Sequence, residues 1–313
     1  YSEVYFREPE SNSDQTRLNG IINTSDSTGY YVDIFRSKKV EGGDKMHDYF
    51  YHNMGQVMTL KAADGTDLNL QPTQELAFAG AHLYAYSYIY DKKSAQTDKN
   101  IKAEYTINMP DKNDISMNMW MKGEKNREIF SALSPMTEGI SRIKDMPYDI
   151  KKQPTLTFVA RQKGEAWTRP FVSIFEPVTK SSPSAISSVE YPSVKSEGGS
   201  GSNVAVKVNL KNGNCDLILS SDANSYLCSS EDAETKSTYS ICRTKECSPV
   251  LVFMGNGTYY KCGTMEIKAS VPGDVLVYIE NGKWKCTSSS DAVVTLGGVS
   301  HEVKAGEGEV ILK

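Results

Sequence analysis

The chain has 313 residues, of which 39% are hydrophobic and 24% are charged, and its formal net charge is −4. Its basic residues are scattered, so nothing in the sequence predicts attraction to nucleic acid or to an anionic membrane. No apolar run approaches the roughly 20 residues of a membrane-spanning helix, and the polar start does not have the pattern of a signal peptide.

Period-two alternation of apolar and polar side chains predicts β-strands along the first part of the chain. The clearest case is Ile115–Met121, in which Ile and three Met residues alternate with Ser, Asn and Trp. Further strands are predicted at residues 30–36, 49–52, 56–60, 83–90, 103–108, 155–161 and 171–176. The only helical signal is a short turn near residues 126–130. Strands at this spacing without helices between them predict an all-β, antiparallel sandwich, similar to a supersandwich.

A Ser-, Gly- and Pro-rich stretch at residues 181–202 predicts a joint between two domains. We therefore expect a central β-sandwich at residues 1–195 and a smaller antiparallel β domain at residues 196–313. In the second domain the predicted strands are short and the hairpins tight. Asn281-Gly282, between the predicted strands 275–280 and 283–286, has the signature of a type I′ turn.

All six cysteines lie in the second domain: Cys215, Cys228, Cys242, Cys247, Cys262 and Cys286. An even number confined to one segment predicts a local set of disulfides and an oxidising compartment. Free thiols are the alternative. No metal site is predicted, because there is no Cys-x-x-Cys pair. Six cysteines permit 15 pairings, so the sequence does not give the connectivity.

The densest group of chemically active side chains is at residues 46–52, which contain His47, Tyr49, Tyr51 and His52. On a strand, His47 and His52 point to opposite faces and therefore do not easily share one metal ion. A Tyr and a His together suit the β-elimination of a uronate, in which one group removes the proton α to the carboxylate and another protonates the leaving oxygen. The alternative is that these side chains pack and hydrogen-bond within the sandwich.

The basic side chains of Arg36, Lys38 and Lys39 could face an anionic sugar, although a solvated loop explains them equally well. Trp120, Trp167 and Trp284 are candidates for stacking on sugar rings, with core packing as the alternative. His82 and His301 are isolated and are expected to be structural or exposed.

Residues 29–36 (GYYVDIFR) and 42–52 (GGDKMHDYFYH) resemble the β-region of the heparinase II/III-like polysaccharide lyases. Residues 164–172 (GEAWTRPFV) and 175–177 (FEP) resemble the end of the same sandwich. The resemblance covers about residues 1–195. It implies an antiparallel sandwich that, in the family, lies between an N-terminal α/α toroid and a small C-terminal β domain. The family's catalytic and zinc-binding motifs, His-Gly-His-x-Asp and His-Asn-Thr, do not occur in this sequence, so no catalytic residue is carried over.

The resemblance implies that the chain is the C-terminal β portion of a secreted or periplasmic bacterial polysaccharide lyase. It would support the absent toroid and line the cleft for an anionic glycan without being active alone. No cofactor is expected in this portion, since the family's zinc is bound upstream. Because the chain does not begin with Met, we interpret it as a mature protein or an excised fragment, and we favour the fragment. The alternatives are an autonomous carbohydrate-binding module or surface glycan-binding protein, and a structural protein that does not contact glycans.

Overall fold

The computed structural model describes residues 1–77, 81–109, 113–137, 139, 142–144 and 148–312. The chain divides into two compact units, Tyr1–Ser184 and Ala185–Lys313. This division lies within the Ser-rich stretch 181–202 but before residue 195, because strand Ile186–Glu190 pairs with Val204–Leu210 of the second unit.

The regular secondary structure described in the first unit is mostly strand: β1 Ser2–Glu8, β2 Ser13–Asn23, β3 Gly29–Lys39, β4 Met46–Asn53, β5 Val57–Ala62, β6 Gln71–Pro72, β7 Tyr90–Gln96, β8 Ile101–Ile107, β9 Ile115–Met121, β10 Arg127–Ser134, β11 Thr155–Lys163 and β12 Ala166–Thr179. A 3-10 helix spans Ala81–Tyr88, and a short α-helix, α1, spans Tyr148–Lys151. A seven-stranded antiparallel sheet has the order β1-β2-β3-β12-β9-β8-β5, and a five-stranded sheet has the order β4-β11-β10-β7-β6. The predicted all-β sandwich is confirmed.

The core of this unit lies between the inner faces of the two sheets. Met119 and Phe171 come from the seven-stranded sheet, Tyr49 and Phe158 come from the five-stranded sheet, and all four belong to one buried cluster. Because side chains alternate between the faces of a strand, a strand that lines this core supplies it at every second position, as Leu156, Phe158 and Ala160 of β11 do. The strand predicted at Ile115–Met121 has the same bounds in the structure.

Two predictions of local structure were wrong. Residues 83–90, predicted as a strand, lie mostly in the 3-10 helix Ala81–Tyr88. Tyr86 packs edge-on against Phe50, so side-chain contacts rather than strand pairing hold this segment. The helical turn expected near residues 126–130 is instead the start of β10, preceded by Asn126 in the left-handed conformation with φ 62°.

The second unit has twelve strands: β13 Ile186–Glu190, β14 Lys195–Ser196, β15 Val204–Leu210, β16 Asn214–Ser220, β17 Cys228–Ser230, β18 Ala233–Lys245, β19 Ser248–Cys262, β20 Met265–Glu280, β21 Lys283–Ser288, β22 Ala292–Leu296, β23 Val299–Val303 and β24 Val310–Leu312. They form one antiparallel sheet with the main order β13-β15-β16-β18-β19-β20-β21-β24. Strand β14 pairs with β17, β17 also pairs with β18, and β22 pairs with both β20 and β23.

The expectation of short strands in this unit was wrong for three of them, since β18, β19 and β20 have 13, 15 and 16 residues. Register shifts interrupt the β18–β19 and β19–β20 pairings. Such irregularities bend strands, so distant parts of the same hairpin contribute to one core. The predicted type I′ turn is confirmed, because Asn281 and Gly282 both have positive φ, 52° and 74°.

Candidate functional site

The predicted cluster of His and Tyr side chains lies on β4, the strand at one edge of the five-stranded sheet. Tyr49 and Tyr51 point into the sandwich, where Tyr49 stacks on Phe171 at 5.6 Å and Tyr51 packs on Phe175 at 4.5 Å between ring centroids. His52 is exposed on the other face of the strand, beside Phe50. The cluster is therefore split between two environments.

Tyr49 is part of a buried hydrogen-bond network and is only 2% exposed. Its hydroxyl donates to Asp33 Oδ2 at 2.7 Å, and the same carboxylate accepts hydrogen bonds from Arg17 Nε at 2.9 Å and Nη2 at 2.5 Å. Burial, together with the negative charge of Asp33, raises the pKa of Tyr49 well above its ordinary value. A phenol in this position does not ionise near neutral pH, so Tyr49 is unsuited to act as a base.

Tyr51 is half-buried, and its hydroxyl accepts a hydrogen bond from Asn53 Nδ2 at 3.0 Å. Burial raises its pKa as well. Tyr105 packs edge-on against its ring, with the centroids 5.2 Å apart. The side chain of Tyr51 is thus packed into the aromatic core of the sandwich.

His47 connects β4 to the preceding turn. Its Nδ1 lies 2.8 Å from Ser37 Oγ, and its Nε2 lies 2.6 Å from Asp44 Oδ1. The Lys39 amide also donates to Asp44 Oδ1, at 2.6 Å. Burial by itself would raise the pKa of Asp44, but these hydrogen bonds lower it below its ordinary value. Both ring nitrogens of His47 are engaged, so the side chain orders the turn.

His52 is the one side chain of the predicted cluster that presents a titratable ring at the surface. Its Nδ1 lies 3.0 Å from Thr157 Oγ1, which lies 2.8 Å from Ser134 Oγ. Burial of part of the ring lowers the pKa of His52. Thr157 is fully buried, so its hydroxyl positions the His52 ring from inside, and the exposed imidazole is the group that can exchange hydrogen bonds with the hydroxyl groups of a sugar.

The remaining candidates of the first unit are largely packed. Arg36 is fully buried and therefore does not reach a polymer at the surface. Trp120 and Trp167 are each 8% exposed. The Lys38 ammonium lies 4.3 Å from the centre of the Trp167 ring, which leaves little of that ring for a sugar. Lys39 is half-buried in the turn that Asp44 orders.

Sequence reasoning missed a buried ion pair on the outer face of the five-stranded sheet. Arg161 donates from Nε and Nη2 to the two carboxylate oxygens of Asp48, both at 2.8 Å, and both side chains are 8% exposed. The Tyr86 hydroxyl donates to the same carboxylate at 2.7 Å, and Arg161 Nη1 lies 3.3 Å from Glu75. This network ties the segment that contains Glu75 and Tyr86 to the sheet. The sequence signal that could have indicated this ion pair is Asp48 itself, an acidic residue between the two predicted site residues His47 and Tyr49.

Near this network is a cavity of about 320 Å³ whose one cationic side chain is Arg17. It is lined by Val4, Phe6, Gln15, Arg17, Phe35, Asp48, Tyr49 and Phe50. Three side chains on one face of β1 and β2 are exposed and apolar: Val4, Phe6 and Ile21 have exposed fractions of 61%, 53% and 83%. The first unit thus has an apolar surface beside a half-exposed guanidinium.

The second unit has a larger cavity, of about 590 Å³, that is lined by both Trp284 and His301. Both side chains are half-buried. Thr264 and Ser248 add hydroxyl groups to the wall, while Met265 and Leu312 add apolar surface. An aromatic ring with hydroxyl and imidazole groups beside it is the combination that recognises a sugar. The side chain of His82, by contrast, lies outside the described residues.

All six cysteines are free thiols in the structure. Among the described residues, no group of three or more His, Cys, Asp or Glu side chains is arranged to hold a metal ion. In the same residues, no helix is long and apolar enough to cross a membrane.

No protein-family model matches the chain. Its sequence is similar to an endo-acting ulvan lyase of Formosa agariphila, with 32% identity over 188 residues. The match covers 59% of this chain and 22% of the lyase, so the chain spans about a fifth of the length of that relative. The chain is therefore related in sequence to a polysaccharide lyase.

Proposed function

We propose that this chain is a non-catalytic β portion of a secreted or periplasmic bacterial polysaccharide lyase that cleaves uronate-containing glycans by β-elimination. We place it with the heparinase II/III-like lyases, on the strand motifs of residues 29–52. The similarity to an ulvan lyase supports an anionic polysaccharide as the substrate of the whole protein.

The main observation in favour of a non-catalytic role is that Tyr49 is buried and hydrogen-bonded. Abstraction of the proton α to a uronate carboxylate needs a base that touches the sugar. Tyr49 is buried and bound to Asp33, and His47 is bound to both Asp44 and Ser37. The residue types that suit the reaction are therefore used to hold β3 and β4 together.

The exposed apolar side chains of Val4, Phe6 and Ile21 on one face of β1 and β2 support a docking role, because exposed apolar surface marks contact sites. We propose that the catalytic α/α toroid packs against these side chains. The half-exposed Arg17 and the exposed His52, which the buried Thr157 hydroxyl holds in place, are then polar groups available to line the cleft.

The test is a lyase assay of the chain alone on ulvan, heparan, chondroitin, hyaluronan and alginate, following the ultraviolet absorbance of unsaturated uronate. We expect no turnover with any of these glycans. Sustained turnover that disappears in Tyr49→Phe or His47→Ala would refute the proposal, since it would show that these residues are catalytic.

A second candidate function is carbohydrate binding by the second unit, and the cavity beside Trp284 favours it. The test is affinity electrophoresis of the chain in gels that contain each glycan. If the cavity binds sugar, Trp284→Ala abolishes the retardation and Trp284→Phe keeps most of it. Tyr5→Ala, at an exposed tyrosine of the first unit, is the matched control and should migrate like the wild type. Equal retardation of all three variants would exclude this cavity as the binding site.

A further inference from the structure

Two cysteines that are distant along the β18–β19 hairpin meet in the core of the second unit. Cys242 is paired with Val252, near the turn of the hairpin, and Cys262 is paired with Ala233, at its open end. Their sulfur atoms are nevertheless 3.5 Å apart. The bend of the two long strands brings them together, since a straight hairpin of this length would hold its ends far apart.

Both thiols are buried in the same apolar cluster, Cys242 at 0% and Cys262 at 2% exposure. Burial distinguishes them from Cys247, which is exposed at the hairpin turn. A disulfide is about 2.0 Å long, so the two sulfur atoms need to approach by about 1.5 Å. The two sulfur atoms are already within hydrogen-bond distance of each other.

The electrostatics of the pair favour one direction of reaction. The Cys242 thiol donates a hydrogen bond to the Cys262 sulfur, and this bond lowers the pKa of Cys262. The same bond, together with burial, raises the pKa of Cys242. Because the thiolate is the nucleophilic form of cysteine, Cys262 is the sulfur that attacks first.

The pair borders a cavity. Cys242 and Cys262 both line a cavity of about 450 Å³, together with Cys215 and Cys247. A cavity of this size admits a molecule as small as a hydroperoxide.

We propose that Cys242 and Cys262 are an oxidation site at which hydrogen peroxide converts two buried thiols into a disulfide across the bent hairpin. In the first step the Cys262 thiolate attacks the peroxide, an S–O bond forms, the O–O bond breaks, and the leaving hydroxide takes up a proton to become water. In the second step the Cys242 sulfur attacks the Cys262 sulfenic acid, the S–S bond forms, the S–O bond breaks, and the Cys242 proton leaves with the oxygen as water. The two sulfur atoms lose two electrons in total, which reduce one peroxide to two waters.

This inference is independent of the proposed lyase role, because it concerns only the covalent state of the second unit. It also selects one pair out of the 15 pairings that six cysteines permit. The link would tie the turn of the hairpin to its open end, and so fix the bend on which the core of this unit depends.

Peptide mapping of the wild-type chain tests the proposal. Trypsin cleaves after Lys236, Arg243, Lys261 and Lys268, so Cys242 falls in residues 237–243 and Cys262 in residues 262–268, each as the single cysteine of its peptide. The folded chain is titrated with hydrogen peroxide, and its remaining thiols are alkylated in denaturant before digestion. We expect the two peptides to appear joined, lighter than their sum by two hydrogen atoms, and to separate on reduction.

Two variants serve as controls. Cys228→Ser removes another buried thiol of the same unit, which lies 3.1 Å from Asn203, and should leave the joined peptides unchanged. Cys242→Ser should abolish them and leave Cys262 as a sulfenic acid that a dimedone-type reagent traps. Recovery of both wild-type peptides in alkylated form after peroxide treatment, or of either one joined to a different cysteine, would overturn the proposal. The wild-type map decides the question even if Cys242→Ser does not fold.

Discussion

Removal of Asp48 from its buried ion pair should destabilise the first unit strongly. Asp48→Ala leaves the Arg161 guanidinium buried without its bidentate partner and removes the acceptor of the Tyr86 hydroxyl. Loss of one partner from a buried ion pair costs about 3–5 kcal/mol. Glu75, which is 63% exposed and 3.3 Å from Arg161, can compensate in part, so we expect the lower end, about 3 kcal/mol.

Urea unfolding of the full chain measures this loss. In a Trp284→Phe background, tryptophan fluorescence reports on the first unit alone, through Trp120 and Trp167. With a denaturant dependence of about 2–3 kcal/mol per molar urea, the midpoint should fall by about 1–1.5 M. Arg7→Ala, which breaks the exposed pair with Asp14, is the matched control and should barely move the midpoint.

A double variant of Asp48 and Arg161 distinguishes the cost of an unpaired buried charge from the cost of lost packing. Replacement of the pair by apolar residues, Asp48→Leu with Arg161→Leu, removes the buried charge and should be less destabilising than Asp48→Ala alone. The reasoning is refuted if Asp48→Ala costs less than about 1 kcal/mol, or if the two substitutions are simply additive.

Three further outcomes are expected. The pKa of His52 in the folded chain is below its unfolded value of about 6.5. The stability that the neutral His52 ring contributes is therefore present above that pH and is lost as the pH falls through the folded pKa. NMR titration should show the low pKa, and His52→Asn should make the stability of the first unit less dependent on pH in the acid range. Gly123→Ala should destabilise the first unit more than Gly65→Ala. An added Cβ at Gly123 would collide with the Asp98 carbonyl oxygen, whereas at Gly65 there is no clash within 4 Å and alanine is opposed only by the left-handed φ of 85°. Calorimetry that ranks the two variants in the opposite order would contradict the clash. If the proposed disulfide forms, the loop closed by Cys242 and Cys262 spans a sequence separation of 20 residues, so reduction should cost the second unit about 3 kcal/mol, measured as the difference in unfolding free energy with and without reductant.

The alternation of apolar and polar residues and the turn residues in the sequence determined the all-β class and many of the strands of the first unit. The alternation in Ile115–Met121 predicted that strand, and the Asn281-Gly282 dipeptide predicted its turn, because side-chain alternation and positive φ are properties of neighbouring residues. The same kind of evidence failed at residues 83–90. There, Tyr side chains at alternate positions suggested a strand, but contact with Phe50 and Asp48 decided the conformation.

The state of each candidate site residue was decided by tertiary structure. The sequence placed Tyr49 and His47 on one strand, but only the fold showed Tyr49 bound to Asp33 on β3 and His47 held by Asp44. The same holds for the 113-residue separation between Asp48 and Arg161, and for the meeting of Cys242 with Cys262. Burial and partner choice depend on which distant segments pack together. The hydrophobic period, the turn residues and the composition carry no information about that packing. Burial and the choice of partner determine whether a Tyr, a His or a Cys can react.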